Sequence, residues 1–515
     1  MAVQKLPDYL IPLAAKSGVQ PFFGDIHNHC NLSYGHGSLS NALRNAQRQL
    51  DFVSITGHAY WPDMPVNDPS VKHIVKFHVE GFERLKKLWP KHFETLSKFH
   101  KPGSFTVFPG YEMHSNAHGD YTIVYRDLDQ RNMHKCPSPV ELLNALRDDY
   151  GDRAFAFPHH IGYRLGARGI NWTSFQKELS PVIELISMHG CSESSLTDRP
   201  FLHSMGPSDG INTIHNGWNS GHIFGVLGNT DHHSGYPGSY GHGRSAVYSS
   251  KNTSNDLWGA IRARHTNALT GDNCHLFATL NDFRLGDIVP PMDETLLNIE
   301  AVAGGFIDYI DVIKNGSIVA RVSPAITPNP INNEEQYLET ILMLELGWGA
   351  RGSYCDWSGN LSLRAGEILA VEPRLRGPDV VSPLEGEEQL NQDTVAWNES
   401  DVQFKIRSYA NPNNTTPTTQ AIALRVRLSP DAMVKAKLCD QEIEFPASRL
   451  LMSALSGNLG AIDTPAFRFH PLPKEKDWQW HGSLDAGAIK KGDWISLRMR
   501  QTNGQWVWSS AFFCR

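Results

Sequence analysis

The sequence has no long apolar run, few cysteines and little net charge. No run approaches the ~18 apolar residues of a membrane-spanning helix, and residues 1–20 lack the basic start, apolar segment and cleavage site of a secretory signal. The 7 cysteines are scattered without Cys-x-x-Cys spacing, which excludes a disulfide framework and a zinc finger. A net charge of -7 over 515 residues excludes a broad electrostatic grip on nucleic acid or anionic lipid, but not a small anionic substrate. We therefore expect a cytoplasmic protein without a nucleic-acid or membrane partner.

Histidine is unevenly distributed along the chain. All of the 24 histidines except His470 and His481 lie within the first 275 residues. A chain of this length is expected to form two or three domains. The distribution predicts a metal-binding domain over residues 1–275 and one or more β-rich domains over residues 276–515.

Apolar runs alternate with amphipathic stretches in the first part. The runs predict strands at Phe22–Ile26, Phe52–Ile55, Phe105–Phe108, Tyr121–Tyr125, Ala154–Phe157, Val182–Ile186 and Ile223–Leu227. The amphipathic stretches predict helices at Leu39–Leu50, Val71–Phe99, Pro139–Tyr150 and Ser254–His265. This alternation predicts an α/β fold of parallel strands wrapped by helices, either a barrel or a doubly wound sheet.

The pattern changes after residue 275 to short β-type runs. They predict strands at Leu297–Val302, Phe306–Ile313, Val402–Tyr409, Ile422–Leu428 and Trp494–Arg500. Asn315-Gly316 and Asn503-Gly504 are typical of hairpin turns. We expect one or two antiparallel β-sandwiches, with loops at residues 323–335 and 411–420. Tryptophans of this region are expected to pack in a core rather than to form a sugar-binding platform; they are Trp348, Trp357, Trp506 and Trp508.

Candidate metal ligands follow the predicted strands. The two-residue period of a strand puts Asp25, His27 and His29 on one face. Each later run also ends in a ligand type: His58, Glu112, His159-His160 and Asp231-His232-His233. Because the carboxyl ends of parallel strands converge in a barrel, these residues predict one site. The alternative of unrelated hydrogen-bonded histidines would need a ligand type by chance at every strand.

The ligand chemistry restricts the metal. Nitrogen and carboxylate ligands without thiolate suit zinc, manganese or iron. A carboxylate such as Glu112 can bridge two ions ~3.5–4 Å apart.

These motifs resemble the PHP superfamily, named for polymerase and histidinol phosphatase domains. The matching motifs are His27-Asn28-His29, Thr56-Gly57-His58, Gly110-Tyr111-Glu112, Pro158-His159-His160 and Asp231-His232-His233. The stretches at residues 228–238, 268–271 and 506–512 are similar to one large branch of that superfamily, which has no settled common function. The resemblance implies a distorted (β/α)7 barrel with up to three divalent metal ions, followed by an antiparallel β-sandwich region.

The resemblance also implies roles for individual residues. The implied ligands are His27, His29, Glu112 and Asp231 for one metal; Glu112, His118 and His159 for a second; and His58 and His233 for a third. The superfamily commonly has aspartate at the position of Gly57 and a ligand at that of Gly35. The sequence therefore does not decide whether two or three metal ions bind. It also leaves open whether His159 or His160 faces the metal, with His159 preferred.

The expected function is a metal-dependent hydrolase that uses a metal-bound water. A phosphoester is the first choice of substrate, with His58, His189 or His242 as the proton donor. Arg244 would suit a phosphate or carboxylate group, or would be structural. The alternatives are a hydrolase or lyase for a carbohydrate or other non-phosphorus substrate, and a non-catalytic carbohydrate-binding or scaffold protein with a vestigial metal site.

Overall fold

The computed structural model describes most of the chain. It covers residues 5–129, 132–201, 206–208, 210–324, 337–347, 353–378, 393–409 and 418–515. Trp348 and most of the two predicted loops, residues 325–335 and 411–417, lie outside the described residues.

Helices and strands alternate at the beginning of the chain, and strands dominate later. The helices are α1 Pro12–Lys16, α2 Leu39–Gln49, α3 Lys72–Phe99, α4 Pro139–Tyr150, α5 Ile214–Asn219, α6 Ser254–Arg262 and α7 Glu475–Trp478. Short 3-10 turns cover Pro69–Val71, Gly151–Arg153 and Ala447–Leu451. The first strands are β1 Gln20–Asp25, β2 Phe52–Tyr60, β3 Thr106–Met113, β4 Asp120–Tyr125, β5 Ala154–His159, β6 Val182–Ser187, β7 Gly190–Cys191, β8 Gly225–Gly228, β9 Arg244–Ser249 and β10 Thr266–Leu269. The middle strands are β11 His275–Leu280, β12 Phe283–Arg284, β13 Ile288–Val289, β14 Leu296–Val302, β15 Ile307–Lys314, β16 Ser317–Val322, β17 Leu338–Gly347, β18 Cys355–Arg374, β19 Thr394–Trp397 and β20 Asp401–Ser408. The last strands are β21 Gln420–Leu438, β22 Gln441–Pro446, β23 Leu455–Asn458, β24 Ala466–Phe469, β25 Gln479–Asp485, β26 Trp494–Gln501, β27 Trp506–Ser509 and β28 Phe512–Cys514.

Local sequence accounts for where the predicted helices begin. The Ser138 hydroxyl accepts a hydrogen bond from the Glu141 N–H at the start of α4, and Pro139 occupies the first turn. A proline costs little there because its missing N–H would have no helical partner. Thr253 caps α6 in the same way through the Asp256 N–H.

The sheet that carries most of the predicted site is mixed. β1 pairs with β2, and β2 with β3, in parallel. The remaining neighbours of this group run antiparallel: β4 beside β3, β5 beside β4, β9 beside β1 and β10 beside β9. β6 and β8 form a separate parallel pair in a three-stranded sheet. None of the four sheets formed by the described residues closes on itself, and the (β/α)7 barrel stays a prediction.

The last strands of the chain return to this first sheet. β27 pairs with β10, and β26 pairs with β27, so strands from both ends of the chain share one 13-stranded sheet. An eight-stranded and a four-stranded antiparallel sheet account for most of the other strands of the second half. The division at residue 275 and the sandwich arrangement stay predictions.

Buried side chains cover both faces of the strands near the site. β3 and β5 are buried at every residue, as expected for strands covered on both sides. The tryptophans Trp357, Trp506 and Trp508 are also buried, which confirms that they pack in a core. Among the described residues, no helix is long and apolar enough to cross a membrane. The polar residues buried at the strand ends differ from these apolar surroundings, and they define the site.

Candidate metal centre

Backbone hydrogen bonds hold the loops after β1 and β8 together. The Asp231 N–H donates to the His27 carbonyl at 2.8 Å, and the His29 N–H donates to the His232 carbonyl at 2.9 Å. Asp231 has φ 52°, a left-handed conformation that aspartate tolerates better than most residues. The two loops therefore place His27, His29 and Asp231 beside one another at the ends of their strands.

Glu112, the next-to-last residue of β3, lies at the centre of the site. It is 1% exposed, and five imidazole nitrogens surround its two carboxylate oxygens. The nitrogens near Oε2 are His27 Nε2 at 3.1 Å, His29 Nε2 at 3.1 Å and His58 Nε2 at 3.5 Å. The nitrogens near Oε1 are His114 Nδ1 at 3.2 Å and His159 Nε2 at 3.1 Å. One carboxylate thus touches side chains from β1, β2, β3 and β5 or the residues just beyond them.

Two aspartates extend this arrangement. Asp231 lies 2.8 Å from His29 Nε2, 2.6 Å from His160 Nε2 and 2.9 Å from His189 Nε2. Asp120, the first residue of β4, lies 3.3 Å from His160 Nδ1. His160 therefore connects the two aspartates.

Neighbouring side chains favour the ionised form of the three carboxylates. Burial alone would raise the pKa of Glu112, but the charges of nearby histidines, His58 foremost, hold it well below its usual range. Burial opposes ionisation of Asp231 in the same way, and His27 and other histidines keep its pKa low. For Asp120, Arg168 is the main group that outweighs burial and keeps the pKa low. Buried anions of this kind are stable only beside positive charge.

The residues form several overlapping groups whose geometry could hold a metal ion. In each group the ligand atoms lie within 4.8 Å of one another. The groups are His27, His29, Glu112 and Asp231; His29, His58 and His233; His58, Glu112 and His114; Asp120, His159 and His160; and His160, His189 and Asp231. We refer to these residues together as the ligand cluster. Imidazole and carboxylate ligands without thiolate fit zinc, manganese or iron.

The outer nitrogens of several rings are held in place. His27 Nδ1 lies 2.8 Å from Glu184 Oε2, and His58 Nδ1 lies 3.1 Å from the Ser33 hydroxyl. The Thr122 hydroxyl lies 3.0 Å from His159 Nδ1. Such contacts fix the orientation of an imidazole and leave the other nitrogen free to bind a metal.

The structure brings most of the predicted ligands together. His27, His29, His58, Glu112, His159, Asp231 and His233 all belong to the ligand cluster, as does the predicted proton donor His189. Both His159 and His160 face it.

Three other predicted residues lie apart from the ligand cluster. His118 is half-buried, and its Nδ1 lies 2.9 Å from the Ser174 hydroxyl. The His242 ring stacks on that of His232 with centroids 5.4 Å apart. Arg244 is fully buried and donates hydrogen bonds to the Gly238 carbonyl, which is a structural role.

Glycine at two positions reflects a lack of space. A Cβ at Gly35 would lie 2.6 Å from the Cys30 carbonyl oxygen, and φ there is 151°. A Cβ at Gly57 would lie 2.9 Å from the Leu85 side chain. Neither position therefore accommodates a ligand side chain without rearrangement of its surroundings.

Sequence reasoning did not identify His114, Asp120, Arg168 or Glu184 as parts of the site. His114 lies two residues after Glu112, so the period of a strand was a usable signal for it. Asp120 faces the site because its backbone pairs with His159, and this depends on the register of β4 and β5. Arg168 lies in an irregular segment with φ 72° and donates to Asp120 at 2.8 Å. No sequence pattern pointed to Arg168.

Comparisons with known proteins give weak similarities only. No family model matches the chain, and no curated protein matches it. One solved structure with a weak match is a two-domain protein of Bacteroides vulgatus that contains a predicted PHP-like metal-dependent phosphoesterase. It is 14% identical to this chain with a TM-score of 0.33, and the match covers 57% of this chain and 80% of that one. PsfC of Pseudomonas syringae is 17% identical with a TM-score of 0.31, over 48% of this chain and 90% of that one.

Proposed function

We propose that this chain is a metal-dependent hydrolase and that its substrate is a phosphoester. The observation that carries the proposal is Glu112, a buried carboxylate surrounded by five imidazole nitrogens. A carboxylate in this position is suited to bridge two cations. The choice of a phosphoester rests on the sequence motifs that resemble the PHP superfamily.

Two or three divalent ions are proposed for the ligand cluster. One would be held by His27, His29, Glu112 and Asp231, and another by His58, Glu112 and His114, so that Glu112 is a ligand of both. A third would use Asp120, His159 and His160. When bound, the ions would lower the pKa of a coordinated water and absorb the negative charge that develops in the transition state.

The protein's own groups prepare this site. Glu184, Ser33 and Thr122 hold the outer nitrogens of His27, His58 and His159. Fixed rings keep the ligand nitrogens pointed at one small volume. A site that is preorganised in this way needs little rearrangement during the reaction.

The more exposed residues of the ligand cluster mark the side from which we expect a substrate to enter. The side chains of His189 and His233 are 11% and 13% exposed, whereas Glu112 and Asp231 are at most 2% exposed. Because His189 Nε2 lies 2.9 Å from Asp231, the carboxylate can orient this ring at the rim of the site. We propose His189 as the general acid that donates a proton to the leaving oxygen.

The test combines metal analysis with turnover. The purified full-length protein should contain two or three metal ions per chain by elemental analysis. It should hydrolyse members of a chromogenic panel of phosphomonoesters and phosphodiesters, and His189→Gln should lower kcat more than His73→Gln, which changes an exposed histidine of α3. Bound metal without phosphoesterase activity would favour a carbohydrate or other non-phosphorus substrate. Absence of bound metal would overturn the proposal and favour a scaffold protein.

A further inference from the structure

We propose that Arg199, Arg376 and His242 form an anion-binding subsite beside the ligand cluster. It would take a phosphate or carboxylate group that the substrate carries in addition to the ester that is cleaved. The assignment of this group to a substrate rests on the proposed hydrolase function. Binding of an anion at the subsite does not depend on that function.

A short glycine-rich loop brings the three side chains together. Arg199 Nη1 donates to the Gly241 carbonyl at 3.0 Å, and Arg376 Nη1 donates to the Tyr240 carbonyl at 2.5 Å. These carbonyls belong to the two residues just before His242. A Cβ on Gly241 would lie 2.8 Å from Arg376 Nη1, so glycine allows this guanidinium to lie against the loop.

The two guanidinium groups have no anionic partner among the described residues. Neither Arg199 nor Arg376 forms an ion pair there; both are partly buried, and their further hydrogen bonds go to the Gly504 and Thr419 carbonyls. Glu345, an acidic residue whose charge acts on Arg376, is hydrogen-bonded to Thr419 and lies 2.7 Å from His470 Nε2. Partial burial of a cation without a counter-charge is unfavourable, and a bound anion would offset it.

Arg374 shows the contrast within the same segment. It lies two residues before Arg376 and pairs with Asp272 at 3.1 Å and with Glu372 at 2.9 Å. Its charge is therefore neutralised within the protein, as expected for a structural arginine. Arg199 and Arg376 donate to backbone carbonyls instead, and within the described part of the chain no carboxylate neutralises them.

His242 adds a nitrogen that is also without a partner. Its Nδ1 is buried and has no hydrogen-bond partner among the described residues. Burial, together with the charges of Arg376, Arg199 and His189, lowers the pKa of His242 to about 3. A neutral imidazole carries one N–H, and in the tautomer with the hydrogen on Nδ1 this ring has an unused donor for an anion that the two arginines hold.

His242 connects the subsite to the ligand cluster. His242 stacks on His232, which directly follows the ligand Asp231. His189, which contacts Asp231, is also close enough to influence His242 electrostatically. Arg199, Arg376 and His242 are all partly exposed, so a ligand can reach them.

The two arginines come from different parts of the chain. Arg199 follows β7, whereas Arg376 follows β18 of the eight-stranded sheet. The second half of the chain would thus supply a specificity residue to a site whose metal ligands lie in the first half. Guanidinium groups suit this task because their planar set of donors matches phosphate and carboxylate oxygens.

The test measures anion binding without metal and without turnover. Inorganic phosphate, and separately acetate, is titrated by calorimetry into the full-length protein from which a chelator has removed all metal. The parent should bind phosphate, acetate or both, and this result identifies the anionic group that the subsite accepts. Arg376→Gln and Arg199→Gln should each weaken binding about 10- to 100-fold, the loss expected for a charge-assisted hydrogen bond. Arg147→Gln, at an exposed position on α4, should bind as the parent does.

Two results would overturn the subsite. One is the absence of anion binding to the metal-free parent, and the other is unchanged binding by Arg376→Gln. If the glutamine variants fail to melt cooperatively, Arg376→Lys keeps the charge but loses the planar set of donors. It should then bind more weakly than the parent, and parent-like binding by it would also overturn the proposal. No metal or substrate takes part in this experiment. A negative result for anion binding therefore does not contradict the hydrolase proposal, and a negative result for hydrolase activity does not contradict anion binding.

Discussion

Replacement of Glu112 by glutamine is the most direct test of a multinuclear site. The change keeps the volume of the side chain but replaces an anionic pair of oxygens by a neutral amide. Five imidazole nitrogens lie within 3.1 to 3.5 Å of that carboxylate, so its charge serves more than one potential metal position. We expect fewer metals per chain and a turnover at least ~10²-fold lower, the range for lost electrostatic or metal-assisted stabilisation.

Thermal unfolding provides a second readout for the same variant. A ligand at about 100 times its Kd stabilises the folded state by about 2.7 kcal/mol, so added Mn²⁺ or Zn²⁺ should raise the Tm of the parent. The increase should be much smaller for Glu112→Gln. Glu94→Gln makes the same chemical change at an exposed position on α3 and should behave as the parent. If Glu112→Gln kept the metal content and turnover of the parent, Glu112 would be an ordinary buried carboxylate and the proposed site would be wrong.

Three further predictions concern metal, packing and pH. Chelation should abolish turnover and Mn²⁺ or Zn²⁺ should restore it, while full activity of a verified metal-free protein would refute the mechanism. Arg374→Ala leaves Asp272 buried without its partner and should lower the free energy of unfolding by about 3–5 kcal/mol in urea titrations; the exposed change Arg147→Ala should alter it by less than ~0.5 kcal/mol. Burial lowers the pKa of His92 from 6.5 to about 3, so only the unfolded chain binds its proton between these values. Stability should therefore fall by about 1.4 kcal/mol per pH unit as the pH drops below 6.5. His92→Phe should lose less stability between pH ~7 and ~5 than the exposed control His73→Phe, and equal losses would contradict the assignment.

Periodicity and capping predicted much of the secondary structure. The sequence placed α4 at its observed residues, because Ser138 and Pro139 mark its beginning without help from distant contacts. The Asn315-Gly316 turn between β15 and β16 was also predicted, and both residues have the positive φ that the pairing requires, 51° and 86°. These features depend on neighbours in the sequence and are therefore local.

Strand partners were harder to predict than strands. The alternation of strand and helix predicted parallel neighbours throughout the first part, but β4 and β9 run antiparallel to the strands beside them. An antiparallel neighbour needs only a short connection, and residues 114–119 supply one between β3 and β4. The pairing of β10 with β27 joins residues more than 200 positions apart. A short segment of sequence does not show which distant segment it will pair with.

The direction of β4 also explains which site residues the sequence missed. Ligands were predicted at the carboxyl ends of strands, which is correct for β1, β2 and β3 because they are parallel. An antiparallel strand brings its amino end to that same edge, and Asp120 is the first residue of β4. The prediction for this segment instead named His118, which lies in the connection and contacts Ser174 rather than the ligand cluster. One edge of a mixed sheet therefore contains the carboxyl ends of the parallel strands and the amino ends of the antiparallel ones. Candidate ligands can come from both. Arg244, at the amino end of the antiparallel β9, shows that this placement alone does not make a ligand, since its side chain is buried beneath the loop that carries His242.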